Sequence, residues 1–134
     1  MKGIVLAAFI TLTVQLLNYM LKQYHLYVFT QDACPPCERL KSFVKTLTAD
    51  EQAELDFVPL KTAYGDRTAL AEELGIELTP TLVVCHETIE CEIDLDGEEF
   101  CDLKEETVER FVGANNIMKH LQATLDAYTY AHAD

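Results

Sequence analysis

The 134-residue sequence contains no tryptophan, only five glycines and four prolines, and no visible low-complexity tract or internal repeat. Basic residues are also scarce: ten Lys and Arg stand against 23 Asp and Glu, which gives a formal net charge of −13. A chain this negative repels phosphate backbones and anionic membrane surfaces. The composition therefore argues against a nucleic-acid partner and against a membrane partner.

The length and the hydrophobic content point to one domain. With 49% hydrophobic residues, the chain can build one sizeable core. We expect a single domain over residues 1–134, with an N-terminal helix over 9–22 and an acidic insertion over 86–107. The insertion overlaps the segment 87–110, where acidic residues are concentrated.

The first 22 residues start with one lysine and an apolar run, as a signal peptide or membrane anchor does. However, polar residues spaced by four, three and four positions share one helix face, and apolar residues hold another. The two sets are Thr11, Gln15, Asn18 and Lys22 against Ile10, Val14, Leu17 and Leu21. This pattern favours an amphipathic helix that packs on a core. We therefore expect a cytoplasmic protein; the alternative is an exported or membrane-anchored protein, held through residues 1–22.

Five cysteines cannot all pair within one chain, so at least one thiol is free. In a reducing cytoplasm, a close cysteine pair is more often catalytic or metal-binding than structural. Cys34 and Cys37 form such a pair in "CPPC".

Hydrophobic patterning predicts strands that alternate with helices, followed by antiparallel strands. Asp66 and Gly75 look like the N-cap and the stop of a helix through "RTALAEEL", and "DLDG" predicts a turn between two strands, "TIECEI" and "EEFCDL". The remaining predictions are strands at 25–30, 54–60, 81–85 and 108–112, a helix after "CPPCER" and a helix at 115–128. This order implies an α/β fold with a mixed central sheet and helices on both faces.

The position of the cysteine pair suggests its chemistry. A thiolate attacks disulfides, and a helix N-terminus favours negative charge, so Cys34 is the expected nucleophile. Cys37, one turn into the helix, can close onto the mixed disulfide and release the reduced substrate. Pro35 and Pro36 stiffen the loop but lack amide hydrogens, so the amide of Cys37 is the first that can stabilise the anion.

A zinc site is the competing interpretation of Cys34 and Cys37, because Cys85, His86, Cys91 and Cys101 offer further ligands. Their spacing matches neither a second Cys-x-x-Cys nor His-x₃-His. With a strand before the pair and a helix after it, redox chemistry without a metal is favoured.

The sequence resembles the thioredoxin family beyond this motif. "YVFTQDACPPC" looks like that family's strand and active-site loop, "GIELTPTLVV" like its cis-proline segment, and "RFVGANNIMKHLQATL" like its last strand and closing helix. The resemblance implies a thioredoxin-like fold with Cys34 as nucleophile and Cys37 as resolving cysteine. It also implies that Pro80 is a cis-proline facing the disulfide and that Thr79 presents backbone to the substrate.

The resemblance also implies roles for three further residues. Pro35 and Pro36, between the cysteines, are expected to lie against the substrate. Lys61 matches, by its spacing from Pro80, a lysine that the family places behind the active site, where it would tune the cysteine pKa values. The more common alternative for such a residue is a solvated or strand-end lysine.

The sequence also departs from the family. Ala33 replaces the usual tryptophan, Val28 replaces a buried aspartate, Pro35 replaces a glycine, and an acidic excursion replaces a tight hairpin. These departures support an alternative function, a non-catalytic binding module that docks through its acidic insertion.

We therefore predict a thiol–disulfide oxidoreductase that reduces protein disulfides. It would need no cofactor, because a thioredoxin-reductase-like or glutathione-linked donor would supply its electrons. Of the remaining cysteines, Cys85 is predicted to be a buried apolar residue. Cys91 and Cys101 flank the predicted turn and are either a disulfide or ordinary thiols.

Overall fold

The computed structural model describes residues 24–129, and the helix predicted over 9–22 lies outside them. Four strands are described: β1 (Tyr24–Thr30), β2 (Leu55–Pro59), β3 (Thr81–Ile93) and β4 (Glu99–Val112). The helices of the same range are α1 (Pro35–Val44), α2 (Ala49–Ala53), α3 (Ala69–Glu73) and α4 (Ala114–Tyr128). No helix in residues 24–129 is long and apolar enough to cross a bilayer.

The four strands form one mixed sheet in the order β2-β1-β3-β4. The central strand β1 pairs in parallel with β2 and antiparallel with β3, and β3 pairs antiparallel with β4. A register shift between Val84 and Cys85 interrupts the last pairing. The parallel pair needs a crossover connection, which α1 and α2 provide.

Helices cover both faces of this sheet, as the sequence predicted. On one face α1 and α4 pack on the strands, and their buried contacts include Leu40, Ile117 and Leu121. On the other face α3 contributes Ala71 to a second cluster around Phe29 and Val83. Because β1 is buried on both faces, its sequence is a nearly continuous apolar run.

Short polar signals start the helices between the strands. In α2, Thr48 and Glu51 form a capping box, with both reciprocal hydrogen bonds. The N-cap prediction for α3 was wrong: Thr68, not Asp66, occupies that position. The Asp66 carbonyl instead accepts a hydrogen bond from the Thr62 amide, which closes a loop before the helix. Gly75 follows the C-cap with φ +67°, as a helix stop requires.

The acidic segment continues the sheet. The strands predicted at 81–85 and within "TIECEI" are one strand, β3, and those within "EEFCDL" and at 108–112 are one strand, β4. We call residues 87–105 the hairpin arm; every residue from 89 to 104 in it is exposed. Its turn is the predicted "DLDG", where the Asp94 carboxylate accepts hydrogen bonds from the amides of Asp96 and Glu98.

Polar contacts join the root of the hairpin arm, at Glu87 and Glu105, to β1. The two ring nitrogens of His25 lie 3.1 Å from Glu87 and 3.0 Å from Glu105. The Tyr27 hydroxyl donates a 2.5 Å hydrogen bond to Glu105. Burial, followed by this hydrogen bond, holds the pKa of Tyr27 well above its usual range. Beyond this root, no contact with the rest of residues 24–129 buries the arm.

Candidate redox site

The cysteine pair lies where β1 passes into α1. Residues 31–34 connect them, and Ala33 adopts a left-handed backbone (φ +53°). Cys34 is the N-cap residue of α1, and the two prolines occupy the first helical positions. Proline fits there because the amide it lacks has no partner inside the helix. The chain thus delivers Cys34 to the helix N-terminus, as the sequence predicted.

Cys34 and Cys37 form a disulfide with 5.2 Å between their Cα atoms. The Cys34 side chain is 8% exposed, and Cys37 is fully buried behind it. The Cys37 backbone N–H donates to the Cys34 sulfur over 3.2 Å. This hydrogen bond and the positive end of the helix favour a thiolate at Cys34. The Cys34 sulfur is therefore the outer one, where a negative charge is stabilised, and the Cys37 sulfur is the inner one.

The Thr79–Pro80 segment faces the outer sulfur, and its peptide bond is cis. The Cys34 sulfur lies 3.9 Å from the Thr79 carbonyl oxygen and 3.7 Å from the Thr79 hydroxyl oxygen. Pro80 itself is buried, while Thr79 is half-buried. The structure thus brings together Cys34, Cys37, Thr79 and Pro80 from distant parts of the sequence.

Gln31 is a site residue that sequence reasoning missed. Its side-chain amide donates a 2.8 Å hydrogen bond to the Thr79 hydroxyl. No local signal could have found it, because the contact exists only once β1 and β3 are paired. In the sequence, Gln31 is a polar residue directly after the predicted strand at 25–30.

The surface around the outer sulfur is partly apolar. Pro35 is exposed, Leu78 is 64% exposed and Val112 is 42% exposed. Val112 pairs with Thr81, and the next amide, that of Gly113, donates to the Pro80 carbonyl. An extended chain with apolar side chains can therefore lie against this surface. Pro36 is half-buried beside it.

Lys61 lies outside the sheet. It follows β2, is exposed, and forms an isolated bridge with Arg67. With Gln31, Asp32 and Lys41 it lines an open cavity of about 460 Å³ beside the active-site loop. Among the described contacts, none joins the Lys61 ammonium to either cysteine, so its tuning role stays a prediction.

Val28 takes the place where the resemblance expects a buried carboxylate. It is 1% exposed and packs in the cluster that contains Leu40 and Val44. The resemblance implies that this carboxylate accepts a proton from Cys37. Here the apolar side chain of Val28, a core residue, takes its place.

The other three cysteines lie away from the helix N-terminus. Cys85 is a free thiol, fully buried, as predicted. Burial, followed by the charge of Glu105, raises the pKa of the Cys85 thiol to about 12. Cys91 and Cys101 form a second disulfide in the hairpin arm, the first of the two alternatives that the sequence left open.

Possible metal ligands converge at a different place from the Cys34–Cys37 pair. The ligand atoms of Cys91, Glu99 and Cys101 lie within 4.8 Å of one another. Within residues 24–129, no group of three Cys, His, Asp or Glu ligands includes Cys34 or Cys37. At the helix N-terminus the sulfurs of Cys34 and Cys37 are joined in a disulfide.

Comparison with known proteins gives a consistent result. A family model described as a thioredoxin-like domain matches residues 21–89. Thioredoxin from Malassezia sympodialis aligns with a TM-score of 0.51 at 17% identity, over 80% of this chain and 78% of that one. Thioredoxin O2 from Arabidopsis thaliana in the oxidized state aligns with a TM-score of 0.50 at 17% identity, over 81% and 77%. At these identities the structural likeness establishes the fold. No curated protein matches the sequence.

Proposed function

Since the chain belongs to the thioredoxin-like domain family, we propose that it is a thiol–disulfide oxidoreductase that reduces protein disulfides through Cys34 and Cys37. The class, a thiol–disulfide oxidoreductase, follows from the family and the Cys-x-x-Cys pair. The direction and the substrate are our proposal. One observation carries it: the Cys34 sulfur caps α1, accepts the Cys37 amide, and faces the backbone of Thr79.

The reaction begins from the dithiol. The Cys34 thiolate attacks one sulfur of the substrate disulfide, forms a mixed disulfide, and releases the other substrate sulfur as a thiolate. Cys37, as a thiolate, then attacks Cys34, closes the Cys34–Cys37 disulfide and releases the second substrate thiolate. Two electrons pass from the cysteine pair to the substrate, and the two substrate thiolates end as thiols.

Cys37 must lose its proton during this sequence. Val28 provides no carboxylate to accept it. We propose that the first substrate thiolate released takes this proton, directly or through water, because it is a base that the reaction itself generates. The second substrate thiolate takes its proton from solvent or from the proton that Cys34 lost.

The substrate side of the reaction follows from the surface around Cys34. Thr79 offers backbone to an extended substrate chain, and Pro35, Pro36 and Pro80 would lie along the same chain. Exposed Leu78 favours apolar side chains next to the substrate cysteine. Protein disulfides fit such a surface better than small charged disulfides do.

The oxidised enzyme needs an electron donor. We propose an external donor, either a thioredoxin-reductase-like protein or a glutathione-linked one, and no resident cofactor. We place the protein in the cytoplasm on its sequence; the alternative is export or anchoring through residues 1–22. Fractionation of cells that express the full chain distinguishes these locations.

A non-catalytic binding module is the second candidate. The observations that favour it are the exposed, acidic hairpin arm and the replacement of the buried carboxylate by Val28. A module of this kind would bind basic partners without exchanging disulfides.

The insulin assay separates the two functions. Reduced insulin B chains precipitate, so turbidity reports dithiothreitol-driven disulfide reduction. We expect wild type to accelerate precipitation and Cys34→Ser to give the uncatalysed rate. The Cys91→Ser/Cys101→Ser variant is the matched control and should keep wild-type activity. A folded wild type without activity would support the binding module.

A further inference from the structure

The hairpin arm carries a disulfide that the proposed reaction does not use. Cys91 on β3 lies directly opposite Cys101 on β4, and their sulfurs are bonded. Both side chains are exposed, whereas Cys34 is 8% exposed and Cys37 is fully buried. A thiolate can therefore reach Cys91–Cys101 without any opening of the core. Exposed disulfides are typically the labile ones.

The two disulfides lie at opposite ends of β3. The strand begins at Thr81, beside the cis-proline, and Cys91 follows ten residues later. At about 3.4 Å per residue, this separation is roughly 34 Å. Cys34 of the same molecule therefore cannot attack Cys91–Cys101, and any reductant of this bond must come from another molecule.

Apolar side chains surround the arm disulfide on its own face. Side chains alternate along a strand, so Ile89, Ile93 and Leu103 share a face with both cysteines. Their exposed fractions are 67%, 74% and 67%. Exposed apolar side chains around an accessible disulfide form a surface on which a partner protein can dock. A disulfide that only crosslinks two strands does not need such a surface.

The charge of the arm restricts what can cover it. Residues 87–105 hold nine Asp and Glu against one lysine, a net charge of −8. Glu99 lies close to both sulfurs, and Glu90, Glu92 and Asp102 occupy the opposite face. These four carboxylates lie within about one Debye length of the disulfide, so their electric field acts on an approaching thiolate. A partner with basic residues around its thiol is attracted, and a second copy of this acidic chain is repelled.

We propose that Cys91–Cys101 is a second redox site, at which the dithiol of a different thiol oxidoreductase, one with a basic surface around its reactive cysteine, reduces this chain. The partner's thiolate attacks one arm sulfur and forms a mixed disulfide, and the other arm sulfur leaves and takes a proton. The partner's second thiol then closes the partner's disulfide and releases the remaining arm thiol. Two electrons and two protons pass from the partner to the arm.

The first experiment measures how accessible the Cys91–Cys101 disulfide is, and whether a positively or a negatively charged thiol reduces it faster. Oxidised wild type is treated with cysteamine or with 2-mercaptoethanesulfonate at equal thiolate concentration, and both disulfides are followed separately by alkylation and peptide mass spectrometry. At low salt we expect cysteamine to reduce the arm disulfide about tenfold faster, and molar salt to remove most of that ratio. The native rate should lie within about threefold of the rate in concentrated urea, because the bond is exposed.

Charge variants localise the effect. Glu92→Gln/Glu99→Gln should lower the preference for cysteamine at the arm. Glu72→Gln/Glu73→Gln removes the same charge from α3, outside the arm, and should leave the preference unchanged. Equal rates with both thiols at low salt, or native reduction about a hundredfold slower than in urea, would overturn the proposal.

Protein dithiols test the class of partner. The acceptor is the oxidised Cys34→Ser/Cys37→Ser variant, in which only the arm disulfide remains. A thioredoxin-type protein with a basic surface around its cysteine should reduce it rapidly at low salt. The reduced Cys91→Ser/Cys101→Ser variant of this chain, shown beforehand to reduce insulin, should be slow. Rapid transfer from that acidic variant would assign the arm to a second copy and refute the proposed partner. Because the acceptor lacks Cys34 and Cys37, its reduction by the basic partner is independent of the function proposed for that pair, whereas the comparison with the acidic variant rests on that function.

Discussion

The side-chain amide of Gln31 donates a hydrogen bond to the hydroxyl of Thr79, a residue 48 positions later in the sequence. A hydroxyl has one hydrogen, so a hydroxyl oxygen that accepts from Gln31 keeps its own hydrogen for another acceptor. The Cys34 sulfur lies 3.7 Å from that oxygen, and as a thiolate it can only accept. Gln31 therefore orients Thr79 towards the reactive sulfur.

The first prediction concerns this relay. Thr79→Val and Gln31→Leu should each raise the pKa of Cys34, because the thiolate loses a donor or the donor loses its orientation. We expect about two- to fivefold slower alkylation of Cys34 by iodoacetamide near neutral pH, which corresponds to roughly 0.5–1 kcal/mol. The measurement is the pH profile of the alkylation rate in the reduced protein.

Two further variants control this prediction. Thr79→Ser keeps the hydroxyl and should react like wild type. Gln31→Leu should have little additional effect in the Thr79→Val background, because the group it orients is gone. Additive effects of the two substitutions would contradict the relay.

A second prediction compares two isoleucines in different surroundings. Ile117 is fully buried between α4 and the sheet, whereas Ile93 on the hairpin arm is 74% exposed. Ile117→Ala should lower the free energy of unfolding by about 2–5 kcal/mol. Ile93→Ala should change it by less than about 0.5 kcal/mol. Urea denaturation of both variants is the test, and a large loss with Ile93→Ala would show that the arm packs on the body.

Sequence patterns predicted the elements that bury one side or both sides against the core. The apolar run of β1, the helical spacing after Cys37 and the Thr48–Glu51 capping box each carry a local signal. The signal that placed the α3 N-cap at Asp66 was ambiguous, because Thr68 stands two positions later and also suits a cap.

The parts that the sequence did not predict depend on contacts between distant residues or on the absence of packing. The sequence predicted separate strands in "TIECEI" and "EEFCDL", but the polar residues at 86–88 and 104–107 concealed that β3 and β4 continue unbroken from the core into the arm. The pairing of Cys91 with Cys101 depends on the register set by the turn at Gly97. The role of Gln31 depends on its contact with Thr79, which lies two residues before β3 and far from Gln31 in the sequence.

A third prediction concerns Cys85 and alkaline pH. Burial raises the pKa of this thiol from its usual 9.0 to about 12, so the folded protein holds the proton more tightly than the unfolded chain. The stabilisation is complete below pH 9.0 and is lost as the pH rises towards 12. The unfolded state binds fewer protons in this window, so the free energy of unfolding falls by up to about 1.4 kcal/mol per pH unit.

Cys85→Val removes this titration and keeps an apolar side chain. Between neutral pH and about pH 10.5, wild type should lose about 1–2 kcal/mol more stability than Cys85→Val does. Urea denaturation of both proteins at the two pH values gives this difference. Parallel loss in both proteins would mean that the Cys85 thiol is not protected as its burial implies.

Trapping the mixed disulfide tests whether Cys34 is the nucleophile of this protein. Reduced Cys37→Ser is incubated with insulin without added thiol, in the Cys91→Ser/Cys101→Ser background so that the arm contributes no sulfur. We expect a covalent complex that dithiothreitol releases and that peptide mapping assigns to Cys34. The same protein with the further substitution Cys34→Ser should form no complex. A folded Cys37→Ser protein that forms no complex, or one linked through Cys85, would contradict the assignment of Cys34 as the nucleophile.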